Sequence, residues 1–420
     1  MNTGIIGVSN ETKRKPDAPN ENPKSEAPMN RASLLHIIER LEGFLGRLPE
    51  TIRRPVMHEL TPLKELFLQQ RAPRFVLTGS NTRPLQDIVA TLFAWTPPAQ
   101  SHEILMELFR WHSMELGGRG TVSFLDARGA DAQALSKIEE ELKALPADLL
   151  LHVAEDDSHA IEQAELDNLS MFLTANLPNH SQAKVIGVAF ERCSARPDRH
   201  HNGESAAAPP AKMRTLLQTA LQQQAGVGIH LLQVVEIPAD AADGAARQFM
   251  TLLARNMPNE ARVEMARIAN EHTVQGEIAQ TLVKSTTAIC AAIGAQPIPL
   301  ADLPILTALQ LMMVSGIMYI SGRERSLRAA TEFVTALGVN VGAGMVLREG
   351  ARALLKFFPG WGNVVCGAVA GAGTYAIGRS AIVYFLEGFT LKDARRTYLS
   401  SRKKRARPEP RALKQIEAAG

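Results

Sequence analysis

From residue 74 to 236 short apolar runs alternate with amphipathic stretches. The runs that predict strands are Arg74–Thr78, Ile104–His112, Thr121–Asp126, Asp148–Glu155, Lys184–Glu191 and Ile229–Glu236. Between them, Pro84–Trp95, Asp131–Leu145, His159–Asn176 and Met213–Gln224 have helical spacing. Alternation of this kind predicts a mostly parallel sheet with helices on both faces. The second run sits in EILMELFRWHSMEL, which also reads as a helix. Ahead of the sheet, Leu34, Leu35, Ile38 and Leu41 share one helical face, and Leu60, Leu63, Leu66 and Phe67 another. Two or three short helices are expected there. Residues 240–290 carry no strand signal, and Ala241–Met257 and Glu260–Ala292 read as helices, with a start at Asn259-Glu260 after Pro258.

Beyond about residue 297 the chain turns strongly apolar. Pro299–Ile320 and Trp361–Leu386 are each long enough to cross a bilayer core, which takes ~20 residues. Asp302, Gln310 and Arg379 interrupt them, and in lipid the charged Asp302 and Arg379 should face protein or water. Two G-x-x-x-G pairs, Gly338/Gly342 and Gly367/Gly371, have the spacing that lets helices pack closely, in lipid or in a soluble bundle. The basic run Arg402-Lys403-Lys404-Arg405 follows and belongs on the cytoplasmic side if the chain enters a membrane. The competing expectation is a soluble, very apolar helical bundle that oligomerises.

Composition narrows the field. The 420 residues are 45% hydrophobic and 21% charged with a net charge of +3, too small to argue for a nucleic-acid binder. Aromatics at 5% are too scarce for base-stacking platforms. Cys193, Cys290 and Cys366 are far apart, with neither metal-ligand spacing nor a disulfide framework, as expected in a reducing cytoplasm. No secretory signal is visible at the N-terminus. Residues 1–30 are polar and Pro-rich and predict a disordered tail. Residues 196–212, a polar Pro/Ala-rich insertion, predict a mobile surface loop. Its His200 and His201 lack further ligands at metal spacing.

The candidate chemistry lies at the ends of the predicted strands, where open α/β sheets bind ligands. After the first comes Gly79-Ser80-Asn81-Thr82-Arg83-Pro84-Leu85-Gln86. A phosphate-binding loop needs a second Gly, a Lys and a Ser or Thr, and Pro84, Leu85 and Gln86 stand in those places. Pro removes an N–H from the cradle and Leu brings no charge. After the third strand, Asp126-Ala127-Arg128-Gly129 has the Asp-x-x-Gly spacing of a magnesium-facing turn. Asp126 capping the following helix is the plain alternative. Where a guanine-reading Asn-Lys-x-Asp would fall, the chain reads Phe190-Glu191-Arg192-Cys193, and the last strand ends Val235-Glu236-Ile237-Pro238. No G-x-S-x-G elbow follows any strand, which argues against a serine hydrolase.

In this order of elements the chain resembles a bacterial Era-type small GTPase, preceded by a helical segment ending in Arg71-Ala72-Pro73-Arg74. It also resembles fusions of such a GTPase to a hydrophobic C-terminal domain of the YcjF type. The resemblance spans roughly residues 33–400, but only Gly79, Asp126 and Gly129 match the nucleotide motifs. It implies an α/β P-loop GTPase-like domain, three-layered with a mostly parallel sheet, followed by an α-helical, strongly apolar domain. The boundaries expected are a tail at 1–30, a helical lead-in at 31–72, the α/β domain at 73–238, a helical connector at 239–296, the apolar domain at 297–400 and a basic tail at 401–420. The function expected is that of a pseudo-GTPase, a non-catalytic adaptor or scaffold at the cytoplasmic face of a bacterial inner membrane. It would reach the membrane through 299–320 and 361–386 and need no cofactor. A protein partner is expected as well: a second copy or an active GTPase relative. The alternative is a weakly active GTPase with a divergent loop. There Ser80, Asn81, Thr82 and Arg83 would contact the anion of GTP or GDP and Arg83 would replace Lys. Asp126 would hold Mg²⁺, and Gly129 would face the γ-phosphate.

Overall fold

The computed structural model describes residues 50–67, 69–95, 109–155, 161–191, 211–238, 243–295, 302–338 and 362–405, with Gly43 and Gly46 besides. Helix α1 (Glu50–Phe67) leads into β1 (Arg74–Gly79), α2 (Leu85–Leu92), β2 (Trp111–Glu115) and β3 (Thr121–Asp126). Then come α3 (Ala132–Ala144), β4 (Leu149–Glu155), α4 (Gln163–Asn176), β5 (Lys184–Phe190), α5 (Ala211–Gln223) and β6 (Leu231–Ile237). The remaining described elements are helices: α6 (Asp243–Asn256), α7 (Asn259–Ala269), α8 (His272–Gly294), α9 (Asp302–Ile320), α10 (Leu327–Ala336), α11 (Gly362–Phe385) and α12 (Leu391–Arg405).

The six strands form one mixed sheet in the order β2-β3-β1-β4-β5-β6. Every neighbouring pair is parallel except β2 and β3. Strands buried on both faces read as continuous apolar runs, and β1, β4 and β5 do. Their side chains divide by parity: Phe75 and Leu77 face one apolar cluster and Val76 the other. The second cluster is closed by α3, α4 and α5 through Ile138, Leu142, Leu169, Phe172, Leu217 and Leu221. The first holds a ring trio, Phe75, Phe93 and Phe124, with centroids 5.4–5.8 Å apart. It runs without a break into the C-terminal helices, through Phe249, Met265, Ile278, Met313 and Ile377. Because these strands are parallel, their last residues, Gly79, Asp126, Glu155 and Phe190, all lie at one edge of the sheet, the carboxyl edge, with Glu155 level with Phe190 and Asp126 opposite Leu77.

Four expectations are corrected. The helix expected over Glu260–Ala292 is two helices, α7 and α8, the first ended by Asn270 with φ 49°. The second strand is not Ile104–His112: it runs Trp111–Glu115, and residues 96–108 lie outside the described residues. Its position follows from a hairpin with β3 that turns at Gly117, Gly118 and Gly120, all with positive φ, which fixes Met114 opposite Val122. The membrane spans expected at 299–320 and 361–386 are not found: no helix among the described residues is long and apolar enough to cross a membrane. Helices α9 and α11 instead bury Met313, Val314, Ile317, Ala376, Ile377 and Ile382 in protein. Their polar positions pair locally, Gln310 Nε2 donating to Thr374 Oγ1 at 2.9 Å and Arg379 meeting Glu387 at 2.9 Å. Gly338 is not a helix-packing glycine: α10 ends at Ala336 and Gly338 turns the chain with φ +79°. Gly342, the tail 1–30 and the bulk of the loop 196–212, with His200 and His201, lie outside the described residues.

Candidate functional site at the carboxyl edge of the sheet

Strand β1 ends where only glycine fits. Gly79 has φ +89°, and a Cβ there would stand 2.2 Å from the Val153 carbonyl oxygen of β4. The chain then rises over the edge as Ser80–Pro84 before α2 begins. The Ser80 N–H is already taken by the Val153 carbonyl at 3.0 Å. The Ser80 and Thr82 hydroxyls bond to each other at 3.0 Å. Arg83 folds across the ends of β4 and β5: its Nε donates to Glu155 Oε1 at 3.1 Å, and its guanidinium lies 4.6 Å from the Phe190 ring centroid.

The space beneath this turn is filled by Arg128. Its guanidinium grips Asp126 with two bonds, Nε to Oδ1 and Nη2 to Oδ2, each 2.7 Å. Its Nη1 donates to the Arg83 carbonyl at 2.7 Å and reaches the Ser80 carbonyl at 3.4 Å. The Arg128 side chain is 4% exposed against 26% for Asp126. Carbonyl oxygens of the turn thus converge on a buried cation, whereas a phosphate-binding turn aims N–H groups at an anion. Gly129, with φ +64°, is covered by Asn81, whose Nδ2 would lie 2.3 Å from a Cβ at that position. Helix α3 is capped by Asp131, whose Oδ1 accepts from Gln133 N at 3.1 Å and Ala134 N at 2.8 Å, so Asp126 has no part in the cap.

The seven expected positions, Gly79, Ser80, Asn81, Thr82, Arg83, Asp126 and Gly129, therefore do come together at one edge, but tied to one another and to Arg128 and Glu155. Arg128 escaped the sequence reading because it occupies a variable place in Asp-x-x-Gly. Its only signal was a cation two residues from a carboxylate. His152 was also missed. It is fully buried in β4, with Nδ1 3.0 Å from Thr78 Oγ1. Burial lowers its pKa from 6.5 to about 4, so it is a neutral imidazole at pH 7. Its signal was a lone titratable residue inside the apolar run LLLHVAE. Among the described residues no group of three or more His, Cys, Asp or Glu could hold a metal ion. Cys290 is fully buried, which pushes its thiol up to about 12 and leaves it unreactive.

Gly367 and Gly371 belong to a different constellation. Both face α8 from α11: a Cβ on Gly367 would stand 2.7 Å from the Ala291 carbonyl oxygen, and one on Gly371 would stand 3.0 Å from Ala291 Cβ.

No family model matches the sequence. A crystal structure of a dimerization-deficient mutant of Toc33 from Arabidopsis thaliana is similar at a TM-score of 0.30 and 13% identity, over 54% of this chain and 96% of that one. That likeness is too loose to fix the fold by itself. A curated relative, magnetosome membrane protein 22 of Magnetospirillum gryphiswaldense, is 30% identical over 162 residues, 34% of this chain and 82% of the relative. With four fifths of that relative covered at this identity, the chain belongs to the family of magnetosome membrane protein 22.

Proposed function

We propose that the chain is a pseudo-GTPase: a GTPase-derived α/β unit without nucleotide chemistry, serving as a membrane-associated adaptor or scaffold. The observation that carries this reading is Arg128, which occupies the turn and holds Asp126 in a bidentate pair at 2.7 Å. A nucleoside triphosphate with Mg²⁺ fits these residues poorly. Asp126 would have to give up Arg128 before meeting a metal. The turn offers carbonyls to Arg128, and Pro84, Leu85 and Gln86 supply neither cradle, Lys nor Mg²⁺ hydroxyl. Arg83, the surrogate Lys of the rival GTPase reading, is committed to Glu155 and Phe190. A single antiparallel strand beside an otherwise parallel sheet also agrees with the small-GTPase resemblance. Membrane association is supported by the name of the relative, a magnetosome membrane protein. A second copy of the chain, or an active GTPase relative, is the protein partner that the resemblance implies.

The test is Mg²⁺-dependent binding of fluorescent GTP, GDP and ATP to the full chain. No saturable binding up to about millimolar nucleotide is expected, a limit that corresponds to ~4 kcal/mol of affinity. Micromolar binding that weakens in Arg83→Ala would revive the divergent-loop GTPase.

A further inference from the structure

Helix α12 is two-faced. Ala394 and Tyr398 are buried. On the opposite side Lys392, Arg395, Arg396, Leu399 and Ser400 follow at intervals of three, one, three and one residues and line one shallow hollow. That spacing places them on a single helical stripe. Large apolar side chains stand in water near the cations: Phe389 is 53% exposed and Leu399 55%. The helix carries seven Lys or Arg against a single Asp. Asp393 is occupied by the Thr390 hydroxyl at 2.6 Å, and Arg396 approaches it only to 3.9 Å.

We infer that this face of α12, with Phe389 just ahead of it, docks on an anionic lipid surface. The pairing of charges with exposed aliphatic and aromatic groups selects the occupant. Phosphate headgroups answer Lys392, Arg395 and Arg396, and the acyl boundary answers Phe389 and Leu399. A nucleic-acid backbone would answer the cations and leave the apolar groups in water. The membrane is thereby met from outside by a basic interfacial helix, while α9 and α11 stay buried in protein. This rests on the membrane-association reading above and names the surface responsible.

The test is co-sedimentation of the full chain with vesicles of phosphatidylcholine alone and of phosphatidylcholine mixed with phosphatidylglycerol. Selective binding to the anionic vesicles is expected. The pair Arg395→Gln and Arg396→Gln should lower partitioning about 25-fold, at about five-fold for each basic side chain near the surface. Leu399→Asp should lower it independently. All three sites are exposed on the helix, so unchanged thermal unfolding verifies that the variants fold. Vesicle binding that ignores lipid charge and these substitutions overturns the assignment to α12 and leaves membrane association standing. No vesicle binding by the native chain overturns both. Binding to a short DNA duplex tighter than to anionic vesicles, abolished by the Gln pair, overturns the lipid reading in favour of a nucleic acid.

Discussion

At the scale of single residues, Arg128 ties the carboxyl edge together. Removing Arg128 leaves Asp126 without its partner and the Arg83 carbonyl without its donor. Asp126 is partly exposed, so the cost lies toward the lower end of the about 3–5 kcal/mol for breaking a buried pair. Arg128→Ala should therefore lower unfolding free energy by roughly 3 kcal/mol in urea titration. A loss below about 1 kcal/mol would show that the pair behaves as an exposed one. His152 gives a pH signature. Its pKa falls from 6.5 unfolded to about 4 folded because burial disfavours the cation. The unfolded chain therefore binds the extra proton first, and stability is lost as pH falls from about 6.5 toward 4. Between pH 7 and pH 5 the loss from this group is about 2 kcal/mol. Urea titration at both values checks it, and in His152→Gln the difference should shrink by about that amount. If it does not, the acid sensitivity arises elsewhere.

At the scale of elements, glycines on one helix separate tight packing from open space. Gly367 of α11 stands against α8, with Ala291 O and Ala295 Cβ 2.7 Å and 2.9 Å from where its Cβ would be. Gly373, also in α11, meets nothing within 4 Å. Gly367→Val should destabilise by about 1–3 kcal/mol through overpacking. Gly373→Ala should stabilise by about 0.5–1 kcal/mol, since the helix loses less backbone entropy. Thermal unfolding of the two variants should move in opposite directions. Equal shifts would mean that α8 and α11 are not seated as described. This contrast also shows how far the sequence could be read. Strands β1, β3, β4 and β5 were legible because they are apolar runs bounded by turn residues, and α7 because Pro258 marks its start. Strand β2 was misplaced because LFRWHSMEL has no clean alternation. The hairpin signal lay in Gly117-Gly118-Arg119-Gly120, after the strand. The G-x-x-x-G spacing suited Gly367 and Gly371 but not Gly338, where φ decides and spacing is silent. Apolar length suggested bilayer spans in α9 and α11 because a buried protein helix and a lipid-facing one share composition. Only their neighbours distinguish them.

At the scale of the molecule, the sheet and the C-terminal helices are joined by a polar cluster that sequence reading could not assemble, its members being up to 255 residues apart. Glu264 of α7 accepts from Gln70 Nε2 at 2.9 Å and from the Tyr319 hydroxyl of α9 at 2.8 Å. Arg325 donates to Gln70 Oε1. The guanidinium carbons of Arg267 and Arg325 lie 3.8 Å and 4.2 Å from the Tyr319 ring centroid. On the sheet side the β2–β3 turn presses on the same carboxylate: a Cβ on Gly120 would stand 2.6 Å from Glu264 Oε1. One carboxylate thus answers the Arg267 guanidinium at 3.4 Å, a phenol and an amide, with Arg325 held beside it through Gln70. Burial and the Glu264 charge raise the Tyr319 pKa, so the phenol remains a donor at neutral pH. Removing the carboxylate should cost more than any of its single contacts, because Arg267 loses its counter-charge while Gln70 and Tyr319 lose their acceptor. Glu264→Ala is expected to lower unfolding free energy by about 3–5 kcal/mol, and Glu264→Gln by less because an acceptor oxygen remains. A double-mutant cycle of Glu264→Gln with Tyr319→Phe should give a coupling of at least about 1 kcal/mol. Additive losses would mean that the two residues stabilise their own helices separately. Coupled losses would mean that the cluster holds the sheet and the C-terminal helices as one unit.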